Sequence, residues 1–173
     1  MNILETAKQY IGIREIPENQ GWEDKAFEER MESLGWKNGW AWCSLFAKLV
    51  WLESLPEPLR HDAEKMISPG ALQTWRNALA FGWKTGSVPM TGAIAIWEHR
   101  SNGKYDGKGH AGICASETYV RNSGGQVFLS IEGNTNEAGG REGDCVAQKE
   151  RRIKTLKSDI LVLKGFIYPE KMR

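Results

Sequence analysis

The chain has 173 residues, enough for one well-buried core and few for two, so we expect a single domain over residues 1–173. Apolar residues make up 40%, charged residues 26%, and the net charge is only +1, so bulk charge does not favour binding to nucleic acid or to a membrane surface. The first eight residues lack a basic region followed by an apolar run. We therefore expect no signal peptide and no membrane insertion, and synthesis in a bacterial cytoplasm.

Apolar residues recur at helical spacing through the first half of the chain. Three such segments, over residues 3–11, 27–34 and 42–52, each predict a helix. A fourth predicted helix begins at Ser68, where serine can cap and the following proline suits the first helical position. Cys43 falls in the first turn of the third predicted helix.

From residue 92 onward the pattern changes to short runs rich in isoleucine, valine and aromatic residues, separated by glycine and asparagine clusters. Such runs are typical of antiparallel strands, and a turn is expected at residues 122–125. Five strands are predicted, over residues 93–98, 110–116, 126–132, 146–153 and 160–168. Because helices come first and strands second, the predicted fold class is α+β, with N-terminal helices packed against a C-terminal antiparallel sheet.

The three cysteines, Cys43, Cys114 and Cys145, are odd in number and lack the spacing of metal ligands. We therefore expect no disulfide framework and no zinc site, and we predict no cofactor. Cys114 is interpreted as structural because it alternates with Ile113 in a predicted strand, and Cys145 because the sequence offers it no partner.

Cys43 has a position that suits a nucleophile. A thiol attacks an amide carbonyl as the thiolate, so it needs surroundings that favour the anion and a base that takes its proton. The start of the predicted helix supplies unpaired N–H groups and a positive dipole end, which favour an anion and could form an oxyanion hole. The alternative is that Cys43 is a small buried apolar residue, and its position alone leaves both interpretations open.

His110 is the preferred base. It begins a predicted strand after the glycine-rich loop of residues 103–109, and small neighbours leave its ring accessible. The alternative is a surface histidine at a strand end. His99 is expected in a loop among charged residues, and His61 is expected to be solvated.

A third group must accept a hydrogen bond from the imidazole to orient it. Glu132 and Asn134 end the predicted strand that follows His110, and the alternation of side chains places both on one face. Either residue could orient the ring, or both could be polar residues that lead into a turn.

Four ordered blocks carry a family resemblance. GWAWCSLF at residues 39–46, GAIAIW at 92–97, GHAGI at 109–113 and EGN at 132–134 together resemble the cysteine, histidine-dependent amidohydrolase/peptidase (CHAP) family. The resemblance implies a papain-like α+β fold in which Cys43 is the nucleophile and His110 the general base. It further implies that Glu132 orients the histidine and that Asn134 is an additional polar member of the site.

The sequence departs from this family at two points. Ala93 follows Gly92 at the start of the predicted strand over residues 93–98. The family often has an aspartate at this position. Some members carry an acidic calcium loop before the cysteine, whereas residues 38–42 contain no carboxylate, so we predict no metal.

Asn38 and Trp40, which precede the nucleophile in the sequence, are candidates for substrate binding. Trp40 could stack on a sugar or a stem peptide, although such aromatic residues are more often part of a core. Asn38, five residues before Cys43, could donate to an oxyanion or could be a turn residue.

The resemblance implies a peptidoglycan hydrolase that cuts either the N-acetylmuramoyl-L-alanine amide or a peptide link of the stem or cross-bridge. We expect a monomeric phage lysis protein that has bacterial peptidoglycan as its partner, binds no nucleic acid, and acts in the periplasm or wall after release. The alternatives are an injected antibacterial amidase toxin, a phage tail component, an intracellular cysteine peptidase, and a catalytically silent wall-binding module that uses its tryptophans to hold glycan.

Overall fold

The computed structural model describes residues 2–121, 124–135, 143–156 and 158–172. Within these ranges the chain forms five helices followed by seven strands. The predicted combination of N-terminal helices with a C-terminal antiparallel sheet is confirmed. The helices are α1 (Ile3–Gln9), α2 (Lys25–Ser33), α3 (Cys43–Ser54), α4 (Leu59–Met66) and α5 (Ala71–Ala80). The strands are β1 (Trp83–Gly86), β2 (Ile94–Ser101), β3 (Lys104–Cys114), β4 (Tyr119–Val120), β5 (Gln126–Thr135), β6 (Cys145–Arg152) and β7 (Leu161–Lys171).

The strands form one antiparallel sheet in the order β1, β7, β2, β3, β5, β4, and β6 also pairs with β5. Strand β3 thus lies between β2 and β5, with His110 opposite Trp97 and Cys114 opposite Ser130. Strand β6 lies beside β5, so only β5 separates the residues of β6 from those of β3.

Helices α1 and α2 begin at residues that can cap them. The Asn2 side chain accepts from the Glu5 N–H at 2.9 Å, and the Asp24 carboxylate accepts from the Phe27 N–H at 3.0 Å. Helix α3 differs, because Trp42 precedes its first residue and makes no side-chain capping bond. The first turn of α3 therefore keeps backbone N–H groups that its cap residue does not satisfy.

The core lies mainly between the helices and one face of the sheet. Helix α3 is its centre, since Leu45, Phe46 and Val50 are fully buried. Burying each such side chain contributes roughly 1.5–3 kcal/mol. A second apolar cluster, which includes Trp97 and Phe128, is separate from this core and consists largely of sheet residues.

The β2–β3 region differs from the prediction. The glycine-rich segment predicted as a loop belongs to β3, which pairs with β2 from Ser101 opposite Lys104 onward. Asn102 and Gly103, both at positive φ (50° and 77°), make the two-residue turn between them. Asn-Gly is a strong signal for such a turn, so the sequence contained the information. His99 consequently lies in β2 rather than in a loop.

Three further elements were not predicted, namely α4, β1 and β4. Helix α4 follows Pro58 and buries Ala63 and Met66, so packing stabilises a segment that is otherwise polar. Strands β1 and β4 have four and two residues, too few to show a periodicity. Residues 122 and 123 of the predicted turn lie outside the described residues.

Candidate active site

Cys43 is the first residue of α3, and its side chain lies at the bottom of a groove. Only 5% of the residue is exposed. The apolar spacing of α3 fixes this position, because burial of Leu45, Phe46 and Val50 turns the first residue of the helix towards the sheet. The thiol therefore lies beside N–H groups at the positive end of the helix, as the sequence predicts.

His110 links the thiol to the sheet. Its Nε2 lies 2.9 Å from Oε2 of Glu132, which leaves Nδ1 for the Cys43 side chain. Burial disfavours the charged imidazole, but the electrostatic interactions with Cys43 and Glu132 and the hydrogen bond with Glu132 raise the pKa of His110 to about 9. Protonation of His110 is thus favoured while a carboxylate accepts from its far nitrogen.

Glu132 is fully buried yet stays ionised. Burial alone raises the pKa of this carboxyl, but the charge of Arg151 and hydrogen bonds from Arg151 and His110 hold it well below its usual range. The Ser130 hydroxyl also donates to Oε1. Gly112 leaves the room for this side chain, because a Cβ there would come 2.6 Å from Cγ of Glu132.

Arg151, on β6, is a member of the site that sequence reasoning missed. Its Nε donates to Oε1 of Glu132 at 2.7 Å, and Nη2 donates to Oε2. Its guanidinium carbon lies 5.4 Å from the ring centroid of Trp97, and that ring lies 5.8 Å from the ring of His110. This bidentate, stacked geometry suits arginine and not lysine. The sequence shows only an arginine in a polar strand, since its contact depends on the pairing of β6 with β5.

Asn134 is also fully buried, two residues after Glu132. It has a φ of 52°, and the register between β5 and β6 shifts between Glu132 and Thr135. The expected alternation from Glu132 to Asn134 is therefore interrupted by a bulge. Of the two candidate residues, Glu132 is the one whose carboxylate lies at hydrogen-bond distance from His110.

The residue before Cys43 joins the helix to two other parts of the site. The indole N–H of Trp42 donates to the buried carboxylate of Glu15, and the indole ring packs over Gly133. Burial raises the pKa of Glu15 to about 7, the Trp42 hydrogen bond opposes this, and the charge of Asp144 adds to it. Gly133 is needed because any Cβ would meet the Trp42 ring and lie 2.7 Å from Cβ of Phe46.

The groove above Cys43 has a volume of about 260 Å³. The starts of α3 and α5 line one side, and residues 107–109 of β3 line the other. Asn38 lies in an exposed turn, and Trp40 is 42% exposed with the Lys37 ammonium 5.4 Å from its ring centroid. Neither of these two predicted substrate-binding residues lines the groove.

The other two cysteines have different surroundings. Cys114 donates to the Ser116 carbonyl at 3.1 Å and Cys145 to the Thr135 carbonyl at 3.3 Å. Burial raises the pKa of Cys114 to about 12 and also raises the pKa of Cys145. Cys43 is the cysteine that interacts with an imidazole.

Across the described ranges, no group of three or more His, Cys, Asp or Glu side chains is arranged to hold a metal ion. No helix in the part of the chain that the structure describes is long and apolar enough to cross a membrane. The chain matches no protein-family model, no curated protein and no solved structure. Its functional interpretation therefore rests on the geometry of the site and on the four sequence blocks.

Proposed function

We propose that this chain is a cysteine amidohydrolase or peptidase of the CHAP class, with a papain-like arrangement of its helices and sheet, that cleaves an amide bond of bacterial peptidoglycan. The observation that carries the proposal is the linked set of side chains from Cys43 through His110 to Glu132. A buried imidazole between a thiol and a carboxylate is the arrangement that nucleophilic cysteine catalysis requires.

The proposed reaction begins with transfer of the thiol proton from Cys43 to Nδ1 of His110. The thiolate attacks the amide carbonyl, and N–H groups at the start of α3 stabilise the oxyanion. His110 then gives its proton to the departing amine, and a thioester remains on Cys43. His110 deprotonates a water molecule, which hydrolyses the thioester and restores the thiol. Glu132 holds the imidazole in position throughout and stabilises its charged form.

Digestion of purified peptidoglycan, with mass analysis of the fragments, tests this proposal and identifies the bond that is cut. We expect wild-type protein to release fragments with a new amino group, and Cys43→Ala protein to release none. Cys114→Ala is the matched control, because Cys114 is also buried but bonds to a main-chain carbonyl. Equal digestion by wild-type and Cys43→Ala protein would rule out the nucleophile.

A silent wall-binding module is the second candidate, and the exposed ring of Trp40 is the observation that favours it. Alkylation separates the two functions. A thiolate beside His110 should react rapidly and stoichiometrically with iodoacetamide near neutral pH, whereas an unactivated thiol reacts slowly. Slow alkylation of Cys43, together with tight binding to intact peptidoglycan that depends on Trp40, would favour the binding module.

We propose phage lysis as the biological setting, with an injected antibacterial toxin as the alternative. In either setting the enzyme acts on the wall after release or delivery from the cytoplasm. The neighbouring genes distinguish them, since a holin gene accompanies a lysis enzyme and an immunity gene accompanies a toxin.

A further inference from the structure

The groove that contains Cys43 has a positive rim. Arg76, on α5, and Lys108, on β3, both line it. Both side chains are exposed, so they are available to a ligand. Among the residues that the structure describes, none of those lining this groove is acidic.

Arg76 has a neutral partner, whereas Lys108 has one carboxylate, that of Asp106, near it. The Arg76 guanidinium bonds to the Gln73 side-chain oxygen at 3.0 and 3.2 Å, a neutral partner that fixes its position and leaves its charge. The Asp106 carboxylate interacts electrostatically with both His99 and Lys108. Asp106, two residues before Lys108, bonds through one oxygen to His99 at 2.7 Å and through the other to the Lys108 N–H at 3.0 Å.

Several of the residues that line the groove are glycine or alanine. Ala41, Gly70 and Gly107 are among these residues, and a Cβ at Gly107 would meet nothing within 4 Å, whereas the space beside Gly109 is filled by Leu72. A peptide bound in this groove with its carbonyl at the Cys43 thiol has Arg76 and Lys108 among the residues that line its site.

We propose that this groove selects acidic peptides, in which a residue flanking the scissile amide carries a free carboxylate that Arg76 and Lys108 bind. This inference rests on the proposed function and narrows its substrate class. Binding to two exposed cations gives a free carboxylate an advantage of about tenfold over a neutral carboxamide, the size expected for a charge-assisted contact at a partly solvated site. The advantage falls as salt concentration rises.

The test uses the stem tripeptide L-alanyl-γ-D-glutamyl-L-lysine, N-acetylated and C-amidated, and its counterpart in which the glutamate carboxylate is a carboxamide. Binding of both peptides is measured with Cys43→Ala protein, and hydrolysis with wild-type protein. We expect about tenfold tighter binding and lower KM for the carboxylate peptide. Arg76→Gln and Lys108→Gln should each reduce this preference, because they weaken binding of the carboxylate peptide more than binding of the carboxamide peptide. Lys104→Gln is the matched control, since Lys104 lies on the same strand outside the groove.

The outcomes separate the two proposals. Hydrolysis of both peptides with equal KM overturns the acidic selectivity and leaves the enzyme proposal standing. Selective binding without hydrolysis by wild-type protein supports the groove and counts against the enzyme. Absence of both binding and hydrolysis overturns the acidic selectivity and restricts the enzyme proposal to bonds that this tripeptide lacks. Loss of the preference in Lys104→Gln would overturn the assignment to Arg76 and Lys108.

Discussion

Replacement of Arg151 by methionine tests whether a residue on β6 controls the protonation of the proposed base. Methionine keeps an unbranched apolar chain against Trp97 but removes the charge and both hydrogen bonds to Glu132. The Glu132 carboxylate, which has no exposed surface, then keeps only His110 and Ser130 as hydrogen-bond partners among these contacts. We expect Arg151→Met to impair both stability and catalysis.

The size of the effect follows from the burial of the pair. Removing one partner of a buried ion pair costs about 3–5 kcal/mol, and the remaining contact with His110 places the expected loss near the lower figure. We expect the variant to lose transition-state stabilisation equal to one charge-assisted hydrogen bond, which is about 1.5–3 kcal/mol. The value of kcat/KM should therefore fall about 10- to 100-fold. Because Arg151 lowers the pKa of Glu132, its removal raises that pKa. The acid limb of the pH–rate profile should therefore move to higher pH.

Three measurements check this prediction: urea unfolding, kcat/KM on a peptidoglycan fragment, and the pH–rate profile. Arg152→Met is the matched control, because the Arg152 side chain is 47% exposed and pairs with Asp159 at 3.5 Å. In a Glu132→Gln background, Arg151→Met should cost much less stability, since the buried charge it balances is gone. An Arg151→Met protein with wild-type stability and an unchanged pH profile would refute the reasoning, as would an equal loss in Arg152→Met.

Two further predictions concern the contacts of Trp42. Because the folded-state pKa of Glu15 is about 7, above its ordinary 4.5, the folded state binds this proton more tightly, and wild-type stability falls as pH rises from about 4.5 to 7. Glu15→Gln should remove this slope and be about 1–2 kcal/mol more stable than wild type at pH 8, with no difference near pH 4, as measured by urea unfolding. Parallel pH dependences of the two proteins would contradict this. Gly133→Ala should cost about 1–3 kcal/mol by overpacking against Trp42 and Phe46, and should lower the rate of peptidoglycan digestion further than the loss of folded protein explains. An unchanged unfolding midpoint would show that the contact with Gly133 is not tight.

The parts of the site that the sequence predicts are those set by local pattern. Apolar spacing alone places Cys43 at the start of a helix, and a β-rich run places His110 in a strand. Glu132 follows because its strand is the next one predicted after that of His110, and β5 lies beside β3. Each of these positions depends on periodicity within one helix or strand and on pairing between strands that are predicted next to each other in the sequence.

The parts that escape prediction depend on contacts that the periodicity does not contain. Arg151 reaches Glu132 because β6 pairs with β5, and the register between the two strands is set by tertiary packing rather than by local sequence. The bulge at Asn134 likewise belongs to the pairing of these strands and not to the sequence of either. The β2–β3 hairpin is different. Its Asn102–Gly103 turn can be predicted from the sequence, but the glycine content of the segment led to the prediction of a loop.

The division of the site between a helix and a sheet explains why residues outside it should affect catalysis. Cys43 belongs to α3 and His110 to β3, so the distance between thiol and imidazole depends on how the helix packs on the sheet. Trp42 fixes the first turn of α3 against β5 through Gly133, and its indole N–H ties the same turn to Glu15. A change that shifts this turn by a fraction of an ångström moves the nucleophile without touching the charges of Glu132 and Arg151. Gly133→Ala should therefore lower kcat and leave the pH–rate profile in place, whereas Arg151→Met should move the profile, so the two variants separate positioning of the nucleophile from ionisation of the base.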